Sequence, residues 1–216
     1  MLLFSSNPSF EFIIAVILAA LVGMTIHEFA HGYVAFLMGD PTAAEQGRLT
    51  LDPTVHINWL GFAMFVLIGF GILGQAPVRP ERMRNPRWGY LASVAAGPLS
   101  NLALAVAFGI IIRIIGLQTL FFDTPTIVRE VLFQMVTFNV LLFIFNLLPL
   151  FPLDGWRIVY VLLPPELAIE WQRNAQNTQM LFFALILFSY LPGFPSIFGI
   201  LIAEPTISIR NMILGI

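Results

Sequence analysis

The sequence predicts an all-α polytopic membrane protein with about four spanning helices, and three observations predict it. Of 216 residues, 58% are hydrophobic and only 10% are charged, whereas a soluble domain carries roughly a quarter charged residues. Too few ionisable groups remain to solvate a globular surface. Mean hydropathy is +0.89. Several runs approach the ~20 apolar residues that cross the hydrocarbon core as a helix, and Pro, Gly and Arg clusters separate them.

The first run, residues 8–38, is apolar except at Thr25, His27, Glu28 and His31, and stops at Gly39-Asp40-Pro41. Its start lacks the basic n-region of a signal peptide, so it reads as the beginning of the first membrane helix. Residues 42–58 are polar, and Gly47-Arg48-Leu49-Thr50-Leu51 alternates like a short strand. Residues 59–74 are apolar but marginal in length for a crossing. An Arg-rich, Pro-broken segment follows to Arg87. The second clear span is 88–117, and the third, 127–151, ends among Pro149, Pro152 and Asp154-Gly155. A short helix is expected over 156–163. The last span is 180–203, interrupted by Pro192, Gly193 and Pro195, where a gate hinge is expected.

If 59–74 crosses, Arg48 is separated from Arg79, Arg82, Arg84 and Arg87. If it dips in and returns, all five share one side, which the positive-inside rule makes cytoplasmic. A re-entrant or interfacial segment is therefore expected. No basic domain suggests nucleic acid, and the lipid bilayer is the first expected partner. Residues 1–216 read as a single membrane-embedded domain, with core motifs in 8–163 and a C-terminal span at 180–203.

The sequence contains no Cys and only three His, so thiolate metal sites are excluded. His27-Glu28-Phe29-Ala30-His31 is an H-E-x-x-H motif. On a helix, residues i and i+4 share a face one turn apart, so both imidazoles reach one zinc ion, and the adjacent Glu points at a water that the metal activates. Two His and a Glu inside an apolar span are costly by default, which argues against chance. A catalytic zinc usually takes a third protein ligand. His56, an Asp or a Glu must supply it. Asp154, at the Pro-broken end of the third span, is the best candidate, although Asp at a helix start is also an ordinary cap. In Gly97-Pro98-Leu99-Ser100-Asn101, the Gly and Pro read as helix-packing residues. Asn101 could serve either packing or a cavity. With 59–74 not crossing, His27, Asn101 and Asp154 all fall at one depth.

The chain resembles the site-2 protease family of intramembrane zinc metalloproteases. The resemblance covers the first span to about Leu163. It rests on three motifs in order: His27 to His31, Gly97 to Asn101, and Asn146-Leu147-Leu148-Pro149-Leu150-Phe151-Pro152-Leu153-Asp154-Gly155. It implies that His27, His31 and Asp154 bind one zinc per chain and that Glu28 activates water. It implies a place for Asn101 near the scissile carbonyl and for Asn146 on the substrate backbone. The implied substrate is a membrane-spanning helix of another protein, cut after local unwinding. The expected location is the cell membrane, with the site nearer the Arg-rich, cytoplasmic face. A small β-structure is expected beside the site, at 48–51 and 76–79. The loop near Asp123 is too short for a PDZ domain and no CBS domain follows the last span, so a short family form is expected. The alternative reading is a membrane protein that binds zinc without peptidase activity. His56 reads as an interfacial histidine or an assistant at the site mouth.

Overall fold

The computed structural model describes residues 8–68, 71, 74, 76–190, 197 and 199–216. Helix α1 (Phe10–Leu37) is followed by two single-turn helices, α2 (Thr42–Glu45) and α3 (Pro53–His56), and by α4 (Trp59–Ile68). After a 3-10 turn at Pro80–Arg82 come α5 (Pro86–Ile115), α6 (Leu117–Phe122), α7 (Thr126–Asn146), α8 (Asp154–Leu162), α9 (Pro165–Arg173) and α10 (Ala175–Tyr190). A π turn at Gly199–Ala203 leads into α11 (Glu204–Leu214).

Among the described residues, α1, α5 and α7 are long and apolar enough to cross a membrane. Their ends follow from local chemistry. Ser9 caps α1 by accepting from the Phe12 N–H at 3.2 Å, and Asn85 caps α5 by accepting from the Trp88 N–H at 3.2 Å. Gly116, at φ +86, ends α5 in a conformation that glycine adopts without steric cost. The three helices pack on one another. Val16, Ala19, Ala20 and Met24 of α1 meet Met135, Phe138 and Leu142 of α7. Ala105 and Ile112 of α5 meet Val136 and Val140 of α7, with Leu214 of α11. The alanines let the backbones approach closely, as small residues do between membrane helices. Hydrogen bonds join His27 to Asn101 and His31 to Ser93, so α1 and α5 run antiparallel.

In the run 59–74, the described helix α4 has 10 residues, about 15 Å at 1.5 Å per residue, against a core of about 30 Å. Gly74 pairs with Ile57 in an isolated antiparallel bridge. The two ends of the run are therefore neighbours.

Of the fourth span expected at 180–203, the described residues show α10 up to Tyr190 and the π turn from Gly199 to Ala203. Pro192, Gly193 and Pro195, where the hinge was expected, lie outside the described residues. One expectation is corrected: the β-structure does not form, since no strand occurs among the described residues. Three backbone groups of 48–51 and 76–79 are engaged elsewhere. The Arg48 N–H donates to Ala43 O, Thr50 O accepts from His56 Nε2, and the Arg79 N–H donates to a carboxylate, Asp40 Oδ2.

Asp40 ties the loop ends beneath α1 and α5. Buried just past α1, it accepts from the Thr42 N–H at 3.0 Å, the Thr42 hydroxyl, and the Arg79 N–H at 2.6 Å. Burial pushes its carboxyl up, but these hydrogen bonds and the nearby Arg82 charge together hold it below the usual Asp range. A carboxyl depressed in the folded state stabilises the fold above its unfolded pKa of about 3.9, and that stability is lost as pH falls through the folded value. The apparent melting temperature in detergent should therefore drop as pH falls below about 4. Asp40→Ala should start lower at pH 7, by about 3 kcal/mol for the lost charged hydrogen bonds, and should lose less over the acid window. Equal acid sensitivity in both proteins would show that Asp40 does not carry this linkage.

Candidate metal centre

His27, Glu28 and His31 are all buried on one face of α1, as their spacing requires. His27 and His31 lie with ring centroids 4.6 Å apart and ring planes nearly perpendicular. The third member arrives from the far end of the chain. Helix α7 ends at Asn146, turns occupy 147–153, and α8 begins at Asp154 itself. Gly155 lets this helix start sit on the preceding turn: a Cβ there would lie 2.2 Å from Leu147 O. The other end of α8 is held by Arg87, whose guanidinium donates to Val161 O at 3.0 Å and more loosely to Leu162 O and Leu163 O.

The result is a triangle of ligand atoms. His27 Nε2 and His31 Nε2 are 3.0 Å apart, and each is 3.1 Å from Asp154 Oδ2. Among the described residues this is the group of His, Cys, Asp or Glu side chains placed to hold a metal. Asp154 is not acting as a helix cap, because α8 has no side-chain cap bond. Its second oxygen, Oδ1, is 3.4 Å from Arg157 Nη1.

The donor set fits zinc. His31 Nδ1 lies 2.7 Å from Ser93 O, a carbonyl that only accepts, so Nδ1 carries the hydrogen and Nε2 presents a lone pair. His27 Nδ1 donates to Asn101 Oδ1 at 2.7 Å, with the same consequence for its Nε2. Two lone pairs and a carboxylate oxygen thus converge in a buried space, an arrangement that is unfavourable without a cation. Tetrahedral zinc ligands at about 2.0–2.2 Å from the metal lie about 3.3–3.5 Å from one another, close to the spacing of this triangle. Zinc is the cofactor, and this group could hold it.

Glu28 stays outside the triangle. It is buried, and its Oε2 has no hydrogen-bond partner. It lines a cavity of about 330 Å³ together with His27, His31, Asp154, Asn146 and Tyr90. Gly74 lies against it: a Cβ on Gly74 would be 3.0 Å from both Glu28 Cγ and Oε1. Asn146 faces this cavity, and its amide donates to Leu142 O at 3.1 Å. Asn101 is fully buried and is not in the cavity wall. Its amide donates to Gly23 O at 3.0 Å and to Asn139 Oδ1 at 2.9 Å. His56 is buried away from the triangle, with Nε2 2.6 Å from Thr50 O, which makes it a brace for the 50–56 turn.

Sequence reasoning missed four residues here. Ser93 not only receives His31 Nδ1–H but returns a hydrogen bond from its hydroxyl to His31 O at 2.9 Å. Gly97 was read as packing, yet a Cβ there would fall 2.3 Å from His31 Nε2 and 2.7 Å from His27 Nε2. Gly74 gave no local signal. Asn139 did give one, as an amide within an apolar span.

Known proteins place this site in a family. The chain is 38% identical over 180 residues to YwhC of Bacillus subtilis, named as a zinc metalloprotease; the match covers 81% of this chain and 78% of that protein. It is 33% identical over 186 residues to Rip2 of Mycobacterium tuberculosis, named likewise, covering 81% of this chain and 66% of Rip2. Rip2 of Mycolicibacterium smegmatis is 32% identical over 169 residues, covering 74% and 60%. No protein-family model and no solved structure matches the chain. With relatives of that name along most of its length, and with two histidines and an aspartate converging on one buried point, the chain belongs to the site-2 protease family of zinc metalloproteases.

Proposed function

We propose that this protein is an intramembrane zinc endopeptidase that hydrolyses a peptide bond within a membrane-spanning segment of another protein. The observation that carries the reading is the unpartnered Oε2 of buried Glu28, in the same cavity as His27, His31 and Asp154. Leaving a buried carboxylate oxygen unmet costs about 1–3 kcal/mol, a cost that a role in proton transfer explains.

Zinc, when bound, supplies Lewis acidity that lowers the pKa of a water toward ~7 and polarises a carbonyl oxygen. His27, His31 and Asp154 hold it, and Arg157 beside Asp154 Oδ1 keeps Oδ2 turned to the histidines. Glu28 takes the proton of the attacking water and returns it to the leaving amine. Asn146, on the cavity wall, orients the substrate backbone. For Asn101, the expected place at the scissile carbonyl gives way to holding His27, because its amide donates to Gly23 O and Asn139 Oδ1.

Water reaches Glu28 through a neighbouring polar cavity of about 630 Å³ lined by Gln46, Thr54, His56 and Asn58, which shares Gly74, Ala76 and Val78 with the first. The single domain sits in the cell membrane with its site toward the cytoplasm, supported by Arg48, Arg79, Arg82, Arg84 and Arg87 at that end. The fourth span expected at 180–203 is part of this reading. Supporting this, α9 follows α8 at the site end, whereas Arg113 at the opposite end of α5 donates to Met212 O of α11.

The test is elemental analysis together with cleavage of a membrane-spanning segment in liposomes, for wild type and Asp154→Ala. About one zinc per chain with cleavage is expected for wild type, and both should be lost in the variant. Zinc retained without Asp154 would move the third ligand elsewhere. A zinc-loaded wild type that cuts no spanning segment would leave a zinc-binding membrane protein.

A further inference from the structure

We infer that Asn139 is a positioning residue for zinc, acting through Asn101 to fix which nitrogen of His27 carries the hydrogen. The inference rests on the zinc site described above and extends it to a residue that touches neither metal nor cavity.

An Asn amide has two dissimilar ends, and either could face His27 Nδ1. If Asn101 presents its carbonyl oxygen, His27 carries its hydrogen on Nδ1 and leaves the Nε2 lone pair for metal. If it presents its NH2, the hydrogen is driven to Nε2 and the lone pair is lost. What surrounds the other end of Asn101 decides between them. That end meets two acceptors, Gly23 O at 3.0 Å and Asn139 Oδ1 at 2.9 Å. Gly23 O is a backbone carbonyl and cannot turn into a donor. Asn139 could, if its own amide flipped. It is held by a third carbonyl: its NH2 donates to Met135 O at 2.8 Å, which turns Oδ1 toward Asn101.

The donors therefore point one way along the chain, from His27 to Asn101 and from Asn101 to Asn139, and the chain ends on a carbonyl that only accepts. Asn101 and Asn139 are both completely buried, so no water competes for these bonds. The register is shaped from the α1 side as well. A Cβ on Gly23 would lie 2.8 Å from Asn139 Oδ1, so glycine there is what lets the two amides reach α1. A group bonded directly behind a metal-bound His, as Asn101 is to His27, commonly changes metal affinity 10–100-fold when removed, and losing Asn139 acts by letting Asn101 turn.

Three variants separate positioning from packing. Asn139→Leu keeps the approximate volume but offers Asn101 no acceptor. Asn139→Asp keeps an oxygen toward Asn101 and, protonated on the other oxygen, a donor toward Met135 O. Gly23→Ala displaces Asn139 from the α1 side. The readouts are zinc dissociation constants by chelator competition, the visible spectrum of the cobalt-substituted protein, and apparent melting temperature. Asn139→Leu and Gly23→Ala should weaken zinc binding by about 10- to 100-fold and alter the cobalt bands. Asn139→Asp should recover most of the affinity and the wild-type bands. Wild-type zinc affinity and cobalt spectrum in Asn139→Leu, even with a lowered melting temperature, would reduce Asn139 to a packing residue and overturn the inference. Equal loss in Asn139→Asp and Asn139→Leu would do the same. Failure of the wild type itself to bind zinc would instead sink the proposed function.

Discussion

Glu28→Gln is expected to keep about one zinc per chain and to lose cleavage by about 10³-fold, within the range for removing a general base. The substitution is nearly isosteric, so it leaves α1 and the histidine pair where they are. It replaces the one carboxylate in the cavity that is buried, lacks a partner on Oε2 and stands outside the ligand triangle. Gln presents an amide that cannot take a proton at neutral pH. Cleavage by the variant at the wild-type rate would remove Glu28 from the chemistry. Zinc lost together with activity would place Glu28 among the ligands and require redrawing the triangle.

Gly97→Ala is expected to abolish zinc binding, weakening it by more than about 100-fold, the upper end for residues behind a metal site. In an ordinary helix interior this substitution would stabilise by about 1 kcal/mol. Here the new Cβ would lie 2.3 Å from His31 Nε2, 2.4 Å from His31 Cε1 and 2.7 Å from His27 Nε2. The methyl would enter the space that both lone pairs face. Either α5 withdraws or both rings turn, while metal sites tolerate displacements of only about 0.2 Å. Helical content by circular dichroism should be unchanged, while zinc content and cleavage fall together. A Gly97→Ala protein that binds zinc as tightly as wild type would mean that α5 does not lie against the imidazoles this closely.

The two substitutions differ in how far they could be foreseen. Glu28 was legible because its chemistry is local: His27, Glu28 and His31 occupy one helical turn, so spacing alone puts them on one face. Gly97 was not, because its importance comes from two rings on another helix, 66 and 70 positions away in sequence. Ser93 and Asn139 belong with it. A serine in a membrane helix carries no special signal, and an asparagine there announces a partner without naming it. Asn101 was noticed for its type, but the acceptors that claim its amide, on α1 and α7, were not legible.

The spans fared similarly. α1, α5 and α7 were readable from continuous apolar length, and their alternating direction followed once 59–74 was taken not to cross. The bridge between Ile57 and Gly74 brings the two ends of that run together. The strand expected at 48–51 did not form, because alternation shows only that a segment fits a sheet. Whether a sheet forms depends on unpaired backbone groups nearby, and here Ala43 O, His56 and Asp40 had already taken them.

The sequence by itself determined the membrane class, the three long helices, the histidine pair with its glutamate, and Asp154 as the best third ligand. The first three follow from composition, from continuous length or from contacts within a turn, while Asp154 was named from its place at a Pro-broken span end and from the family resemblance. Only the tertiary structure decided that Asp154 shares a triangle with the histidines, that Gly97 must lack a side chain, and that two buried amides line up behind His27. Those depend on α1, α5, α7 and α8 meeting at one level, and the distance between residues on different helices is set by packing, which no local pattern encodes.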